Sequence, residues 1–186
     1  MSQSSPNSVP SKTQFAKVLK LLGRVSFWIQ LVLGIAASIT LLLVTISRNA
    51  SEGKNNAWIG LGLFCTVTSI LILGFRVYWT WRYTRIAKQL QGDLPQKNIS
   101  KTKVIDRLRL GLIISLCGLL LAFFAAEITT VAVLTKALSQ PQGVAVYEPE
   151  NTVRSLDLFL ILADVNLIGA HLLGSMNSLG LYNWLD

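Results

Sequence analysis

The stretch SLDLFLILADVNLIGAHLLGSM, residues 155–176, decides the fold, because it is long, free of proline and apolar apart from a few polar side chains. A helix rises about 1.5 Å per residue, so about 20 such residues cross the hydrocarbon core of a bilayer. Asp157, Asp164 and His171 are seven residues apart, nearly two helical turns, and project from almost the same face. Each charge inside a membrane costs at least about 2.5–3.5 kcal/mol on insertion scales, so this stripe requires an explanation.

Three further stretches have the same character, namely residues 26–46, 57–77 and 110–134. Apolar residues make up 52% of the chain and charged residues only 14%, whereas a soluble domain carries about 25% charged residues. The sequence therefore predicts an all-α protein, a four-helix transmembrane bundle formed by residues 26–186.

The basic residues predict the orientation of the bundle in the membrane. Of the 17 lysines and arginines, twelve precede the first span or lie between the second and third, a thirteenth, Arg76, lies at the inner end of the second span, and four lie on the other side. The positive-inside rule then places both termini in the cytoplasm or stroma. This bias explains the net charge of +8, so no nucleic-acid partner is expected and the partner of the basic segments is the lipid bilayer.

Three segments flank or connect the predicted spans. Residues 1–11 are a polar serine- and proline-rich tail that we expect to be disordered. Residues 12–25 form a basic amphipathic segment, which is either an interfacial helix or an extension of the first span. Residues 84–108 form a basic inner loop.

Aromatic and basic residues meet at the end of the second span. Tyr78, Trp79 and Trp81 lie near Arg76 and Arg82. Such a cluster is typical of an interfacial belt, in which arginine side chains extend to lipid phosphates.

A second carboxylate is expected at the depth of Asp164. Counted at 1.5 Å per residue from the outer ends of the third and fourth helices, Glu127 and Asp164 are both about 13 Å deep. Carboxylate oxygens with the imidazole of His171 would suit divalent iron, manganese or zinc better than alkali ions. The candidate metal-ligating or permeation residues are therefore Glu127, Asp164, His171 and Asp157.

Each candidate also has a structural interpretation. Asp157 lies in the first helical turn, where the positive end of the helix dipole stabilises a carboxylate, and the other three side chains could form structural hydrogen bonds. As a functional alternative to metal binding, the same groups could relay protons. One helix cannot supply a full coordination sphere, so a metal site would require Glu127 across the bundle or the same stripe from another copy. The chain has no HExxH, CxxC or phosphate-loop motif, and we expect neither an enzyme nor a bound cofactor.

The whole chain resembles a cyanobacterial and plastid family of unknown function. The resemblance rests on FAKVLKLLGRVSFWIQLVLGIAAS at the first span, FRVYWTWRYTRIAKQL at the end of the second and the closing ADVNLIGAHLLGSMNSLGLYNWL, and it covers residues 12–186. This family includes the chloroplast inner-envelope translocon component that is also described as an iron permease. With no long transit peptide before the first span, the chain looks closer to the cyanobacterial branch, which implies a plasma or thylakoid membrane.

Two functions follow as expectations. The first is a metal-ion permease, with iron as the first cargo, acting as a homo-oligomer. The second is a non-transporting membrane subunit of a protein-import or complex-assembly machinery, whose partners would be translocon or assembly-complex subunits.

Overall fold

A computed structural model describes residues 12–50, 57–90, 101–139 and 155–185, and all four segments are helical. The helices are α1 (Lys12–Ala50), α2 (Ala57–Leu90), α3 (Lys101–Ser139) and α4 (Ser155–Leu185). The all-α prediction is confirmed, and all four helices are long and apolar enough to cross a membrane. The side of the membrane on which the chain termini lie remains a prediction.

The helices extend beyond the predicted spans. α1 continues without a break through residues 12–25, so this segment is helical and continuous with the first span, and its location at the membrane surface stays a prediction. α2 ends at Leu90 and α3 begins at Lys101, so both helices enter the segment expected as the inner loop. Residues 1–11 and 91–100 lie outside the described residues.

The four helices form an up-and-down bundle in which each helix contacts the next, and α4 also contacts α1. Lys136 near the end of α3 meets Asp157 near the start of α4, as expected for antiparallel neighbours. α2 and α4 run parallel and meet across the diagonal.

The bundle is apolar outside and partly polar inside. Large apolar side chains such as Phe64, Leu71 and Val165 are exposed on its perimeter, whereas the interior combines apolar clusters with fully buried polar groups. One apolar cluster joins Ala37, Leu73, Ala122, Ala163, Leu167 and Ala170. A perimeter of this kind would be unfavourable in water and fits a lipid environment.

Candidate functional site

Polar side chains form the contact between α2 and α4 across the centre of the bundle. They lie at three successive levels, which we name after Asp164, His171 and Arg76, and together they make up the polar column. The column comprises Thr66, Ser69, Arg76, Ser115, Asp164, His171 and Ser178, all buried. A row of polar groups inside a membrane bundle is expensive unless its members bond to one another, and it is where transport chemistry is usually located.

The Asp164 level holds a carboxyl group that is inaccessible to solvent. The Thr66 Oγ1 hydroxyl lies 2.7 Å from Asp164 Oδ1 and 3.0 Å from the carbonyl oxygen of Gly62. Asp164 Oδ2 is buried and has no hydrogen-bond partner among the residues that the structure describes, and the same is true of the nearby Thr129 hydroxyl, which packs against Gly62. This level therefore offers free oxygen ligands in the bundle interior.

The hydrogen bonds of the Thr66 hydroxyl are compatible with both a charged and a neutral Asp164. A hydroxyl has one proton, so Thr66 can donate fully to either Asp164 or the Gly62 carbonyl. When Thr66 donates to Asp164, Oδ1 accepts the hydrogen bond, which is compatible with a carboxylate and with an acid protonated on Oδ2. When Thr66 donates to the Gly62 carbonyl, its hydroxyl oxygen can form a hydrogen bond with Asp164 only as an acceptor, and Asp164 must then be protonated to donate. The same contacts thus accommodate a proton or a cation at Asp164.

The His171 level is built against a glycine. The ring is fully buried, and Nε2 lies 3.1 Å from Ser69 Oγ and 3.3 Å from the Ser69 carbonyl oxygen. A Cβ atom at Gly118 would overlap the imidazole, so α3 needs glycine there for the ring to fit. His171 is thereby fixed between α2 and α3.

The contacts of Ser69 assign the tautomer of His171. Ser69 Oγ donates to the Gly118 carbonyl oxygen at 3.1 Å, so its oxygen is left as an acceptor for the ring. The Ser69 carbonyl can only accept, and both contacts therefore place the proton of a neutral ring on Nε2. Nδ1 is then a buried lone pair without a hydrogen-bond partner in the four described helices.

The Arg76 level corrects a prediction. The expectation that Arg76 extends to lipid phosphates is wrong, because its side chain is fully buried in the bundle. Nε donates to Ser115 Oγ at 2.8 Å, and Nη2 donates to the Gly174 carbonyl oxygen at 2.9 Å and to Ser178 Oγ. These bonds outweigh snorkelling because the charge is solvated by oxygens of α3 and α4 without the side chain leaving the bundle.

Gly174 gives the guanidinium its room. A Cβ atom there would stand 2.7 Å from Ser115 Oγ, 3.0 Å from Gln30 Nε2 and 3.3 Å from Arg76 Nε. Gln30 Nε2 donates to Ser26 Oγ at 2.7 Å, so α1 also contributes polar groups near this level. All four helices thus meet at one polar cluster.

Asp157 lies at the opposite end of the bundle and in the first turn of α4, as expected. Its carboxylate accepts a hydrogen bond from Lys136 Nζ at 3.0 Å, and the Asp157 side chain is only 4% exposed. This ion pair joins the end of α3 to the start of α4. Asp157 therefore has a structural partner that the sequence did not assign to it.

Glu127 on α3 and Asp164 on α4 do not face each other. Counted from the Lys136–Asp157 pair, Glu127 is about 13 Å and Asp164 about 10 Å along the helices, so their depths are similar. Glu127 is exposed on the perimeter, however, whereas Asp164 faces the interior. The expectation that the two carboxylates face each other across one bundle is therefore not met within a single chain.

The predicted ligands are not brought together as one cluster. Asp164 and His171 are two turns apart on α4, about 10 Å along its axis. Within the described residues, no group of three or more His, Cys, Asp or Glu side chains is placed to hold a metal ion. The arrangement offers two separate buried contacts, at Asp164 and at His171 Nδ1.

The sequence did not single out the partners of these residues. Thr66, Ser69, Ser115 and Gly118 were missed, because small polar residues and glycines are common in apolar helices. A signal was present in their spacing: Arg76 follows Ser69 by seven residues, and Ser178 follows His171 by seven. Residues at this spacing share a helical face.

Comparison with known proteins gives this architecture a family. The chain is 27% identical over 199 residues to "Protein TIC 21, chloroplastic" of Arabidopsis thaliana, an alignment that covers 95% of this chain and 64% of that protein. The chain thus spans somewhat less than two thirds of the length of this relative. No solved structure matches. The family described as "Protein of unknown function (DUF3611)" matches residues 9–186, and the chain belongs to it.

Proposed function

We propose that the chain is a permease for a divalent metal ion, with iron as the first cargo to test. One observation carries the proposal. Asp164, a carboxyl group in the middle of a membrane bundle, is fully buried and receives a hydrogen bond on one oxygen, and its other oxygen has no partner in the described part of the chain. Buried ionisable groups in membrane helices typically mark ion or proton pathways, and carboxylate oxygen suits a divalent cation.

The separation of the two contacts suits passage rather than storage. A cation held by Asp164 Oδ2 and neighbouring hydroxyls would next meet His171 Nδ1, two turns along α4. Few ligands at each level imply weak binding, and transport requires binding that is weak enough for release. The positive guanidinium of Arg76 closes the column to a cation at the third level, so release there would require Arg76 to move.

Flux of ferrous iron into vesicles that contain the purified protein tests this function. Asp164→Asn keeps the size of the side chain and a Thr66 contact but removes the negative charge, so we expect at least a tenfold loss of flux, on the order of 1.4 kcal/mol or more in the barrier. Ser175→Ala is the matched control, because the Ser175 hydroxyl is buried on the same helix and donates to its own helix at the His171 carbonyl. Wild-type flux in the Asp164→Asn protein, inserted at normal levels, would contradict the proposal.

The resemblance to an import component supports a second candidate, a membrane subunit that transports nothing itself. The specific observation in its favour is Glu127, whose carboxyl group faces outward from the bundle. Under this function the polar column would hold the bundle together and the perimeter would bind partners. Absence of metal flux in wild-type vesicles, with stable association with other membrane proteins, would favour it over the permease.

Two further features belong to the proposal, and the oligomeric state is proposed separately. We place the protein in a cyanobacterial plasma or thylakoid membrane, and we assign it no enzymatic activity. Homo-oligomerisation is a separate proposal, because the Asp164 level is enclosed within one chain and needs no second copy to complete its walls. The mass of the purified protein in detergent or nanodiscs tests the oligomeric state.

A further inference from the structure

Glu127 is an anomaly on the perimeter of the bundle. The buried face of α3 is formed by Ser115, Gly118, Ala122, Ala125 and Thr129. Glu127 follows Ala125 by two residues, about 200° around the helix, so its side chain points away from the other three helices. It is exposed within a helix that is long and apolar enough to span the membrane.

The surroundings of Glu127 are apolar and deep in the membrane. Exposed residues one turn away are Phe123, Phe124, Thr130 and Val131, which with Glu127 make up the Glu127 face. Lys136, which marks one rim of the bundle, is about 13 Å along the helix. In the described part of the chain, the Glu127 carboxyl group has no hydrogen bond or ion pair. A carboxylate in such a place is costly unless a group from outside the bundle compensates it.

A second copy of this chain cannot supply an opposite charge at this depth. All four helices are described through the middle of the membrane, so their basic residues at that level are known. Arg76 is buried within the bundle, and Lys136 is paired with Asp157 near the rim. Copies related by an axis along the membrane normal would therefore bring only another Glu127 to the same level.

We propose that the Glu127 face docks a transmembrane helix of a different protein, one that carries a lysine or arginine near the middle of its span. The basic side chain would pair with Glu127, and the apolar remainder of the helix would pack against Phe123, Phe124 and Val131. Charge complementarity selects this occupant over lipid, which offers no cation at this depth, and over a second copy. The inference concerns the outer surface of α3 and does not depend on transport through the interior.

A designed peptide tests the chemistry of the face directly. The probe is a leucine–alanine transmembrane helix with one lysine at its centre, labelled for energy transfer to the purified protein in bilayers. We expect the lysine peptide to bind and Glu127→Gln to weaken binding by roughly fivefold to thirtyfold, the range of one polar interhelical contact. Equal binding of an otherwise identical peptide with a central leucine would overturn the proposal.

A charge swap keeps the test informative. The Glu127→Lys protein should no longer bind the lysine peptide and should bind a peptide with a central glutamate. The Glu127→Gln protein should bind neither charged peptide well. The helical content of each variant is checked by circular dichroism, and no loss is expected because the position is exposed. Failure of the swapped pair to associate would overturn the ion-pair assignment.

Crosslinking in native membranes identifies the occupant. A photoreactive residue replaces Thr130 on the Glu127 face and, as control, Leu42 on the exposed side of α1. The expected product at position 130 is a different membrane protein with a lysine or arginine at mid-span, and its yield should fall in Glu127→Gln. Products that contain only a second copy or only lipid would overturn the proposal, and neither outcome would bear on metal flux.

Discussion

Gly118 determines whether His171 can occupy the centre of the bundle, because the imidazole fills the space where a side chain at 118 would begin. Gly118→Ala should therefore shift α3 or displace the ring from Ser69. Overpacking of this kind typically costs about 1–3 kcal/mol. We expect the variant to unfold at lower denaturant concentration in mixed detergent micelles, monitored by the loss of helical circular dichroism.

The cause can be isolated by a second substitution and a control. His171→Ala removes the ring, so Gly118→Ala should be much less destabilising in that background. Gly74→Ala on α2 adds the same methyl group where no side chain or neighbouring helix of the described residues lies within 4 Å, and it should be neutral or slightly stabilising. Equal destabilisation at positions 74 and 118 would show that the ring contact is not the reason.

At the scale of the helices, the interior follows a regular spacing. Buried residues of α2 recur at alternating intervals of three and four: Ile59, Gly62, Thr66, Ser69, Leu73, Arg76 and Thr80. This repeat is the signature of helices that pack at a shallow angle, with small residues permitting close approach. Position within the repeat decides burial even for a charged residue, which is why Arg76 faces inward.

The same spacing explains which site predictions met the structure and which did not. The stripe on α4 lies on one buried face, as its seven-residue spacing predicts, because that spacing is a property of a single helix. The predicted pairing of Glu127 with Asp164 rests on depth alone, and depth does not give the rotation of a residue about the helix axis. The small residues Ser115, Gly118, Ala122 and Ala125 mark the inward side of α3 and would have placed Glu127 on the other side.

Arg76 links three helices, and its geometry makes a prediction. Its guanidinium donates from separate nitrogens to α3 at Ser115 and to α4 at Gly174 and Ser178. Lysine keeps the charge but has no planar fork, so Arg76→Lys should leave at least one of these buried acceptors without its donor. We expect the free energy of unfolding to fall by about 1–3 kcal/mol, measured in the same detergent titration.

An exposed arginine provides the matched control for this substitution. Arg109 lies on the perimeter of α3, and Arg109→Lys should leave the unfolding transition unchanged within error. Arg76→Lys combined with Ser178→Ala should cost less than the sum of the two single substitutions, because they disrupt one shared contact. Strict additivity would contradict the assigned hydrogen bond.

The whole molecule combines an apolar perimeter with the polar column in its interior. Length and hydropathy were enough to predict four membrane helices, because the thickness of the bilayer sets the length of a span and its hydrocarbon core sets the apolar composition. They were not enough to predict Thr66 and Ser69 as the partners of Asp164 and His171, since that choice depends on the relative rotation of α2 and α4. The Lys136–Asp157 pair sets the register of α3 and α4 at one end, and the Arg76 level joins all the helices toward the other.

The orientation of this molecule in the membrane follows from charge, and it can be measured. Burial of Arg76 removes it from the surface charge, which leaves twelve basic residues on the predicted cytoplasmic side against four on the other. This excess still predicts that residues 84–108 face the cytoplasm.

Lys97→Cys and Glu148→Cys, each made after Cys65 and Cys117 are replaced by alanine, report the two sides. In intact spheroplasts of a bacterial host, a membrane-impermeant maleimide should label the cysteine at 148 and should reach the cysteine at 97 only after lysis. Labelling of position 97 in intact spheroplasts, with protection of position 148, would reverse the orientation and place the Lys136–Asp157 pair at the cytoplasmic end of the bundle.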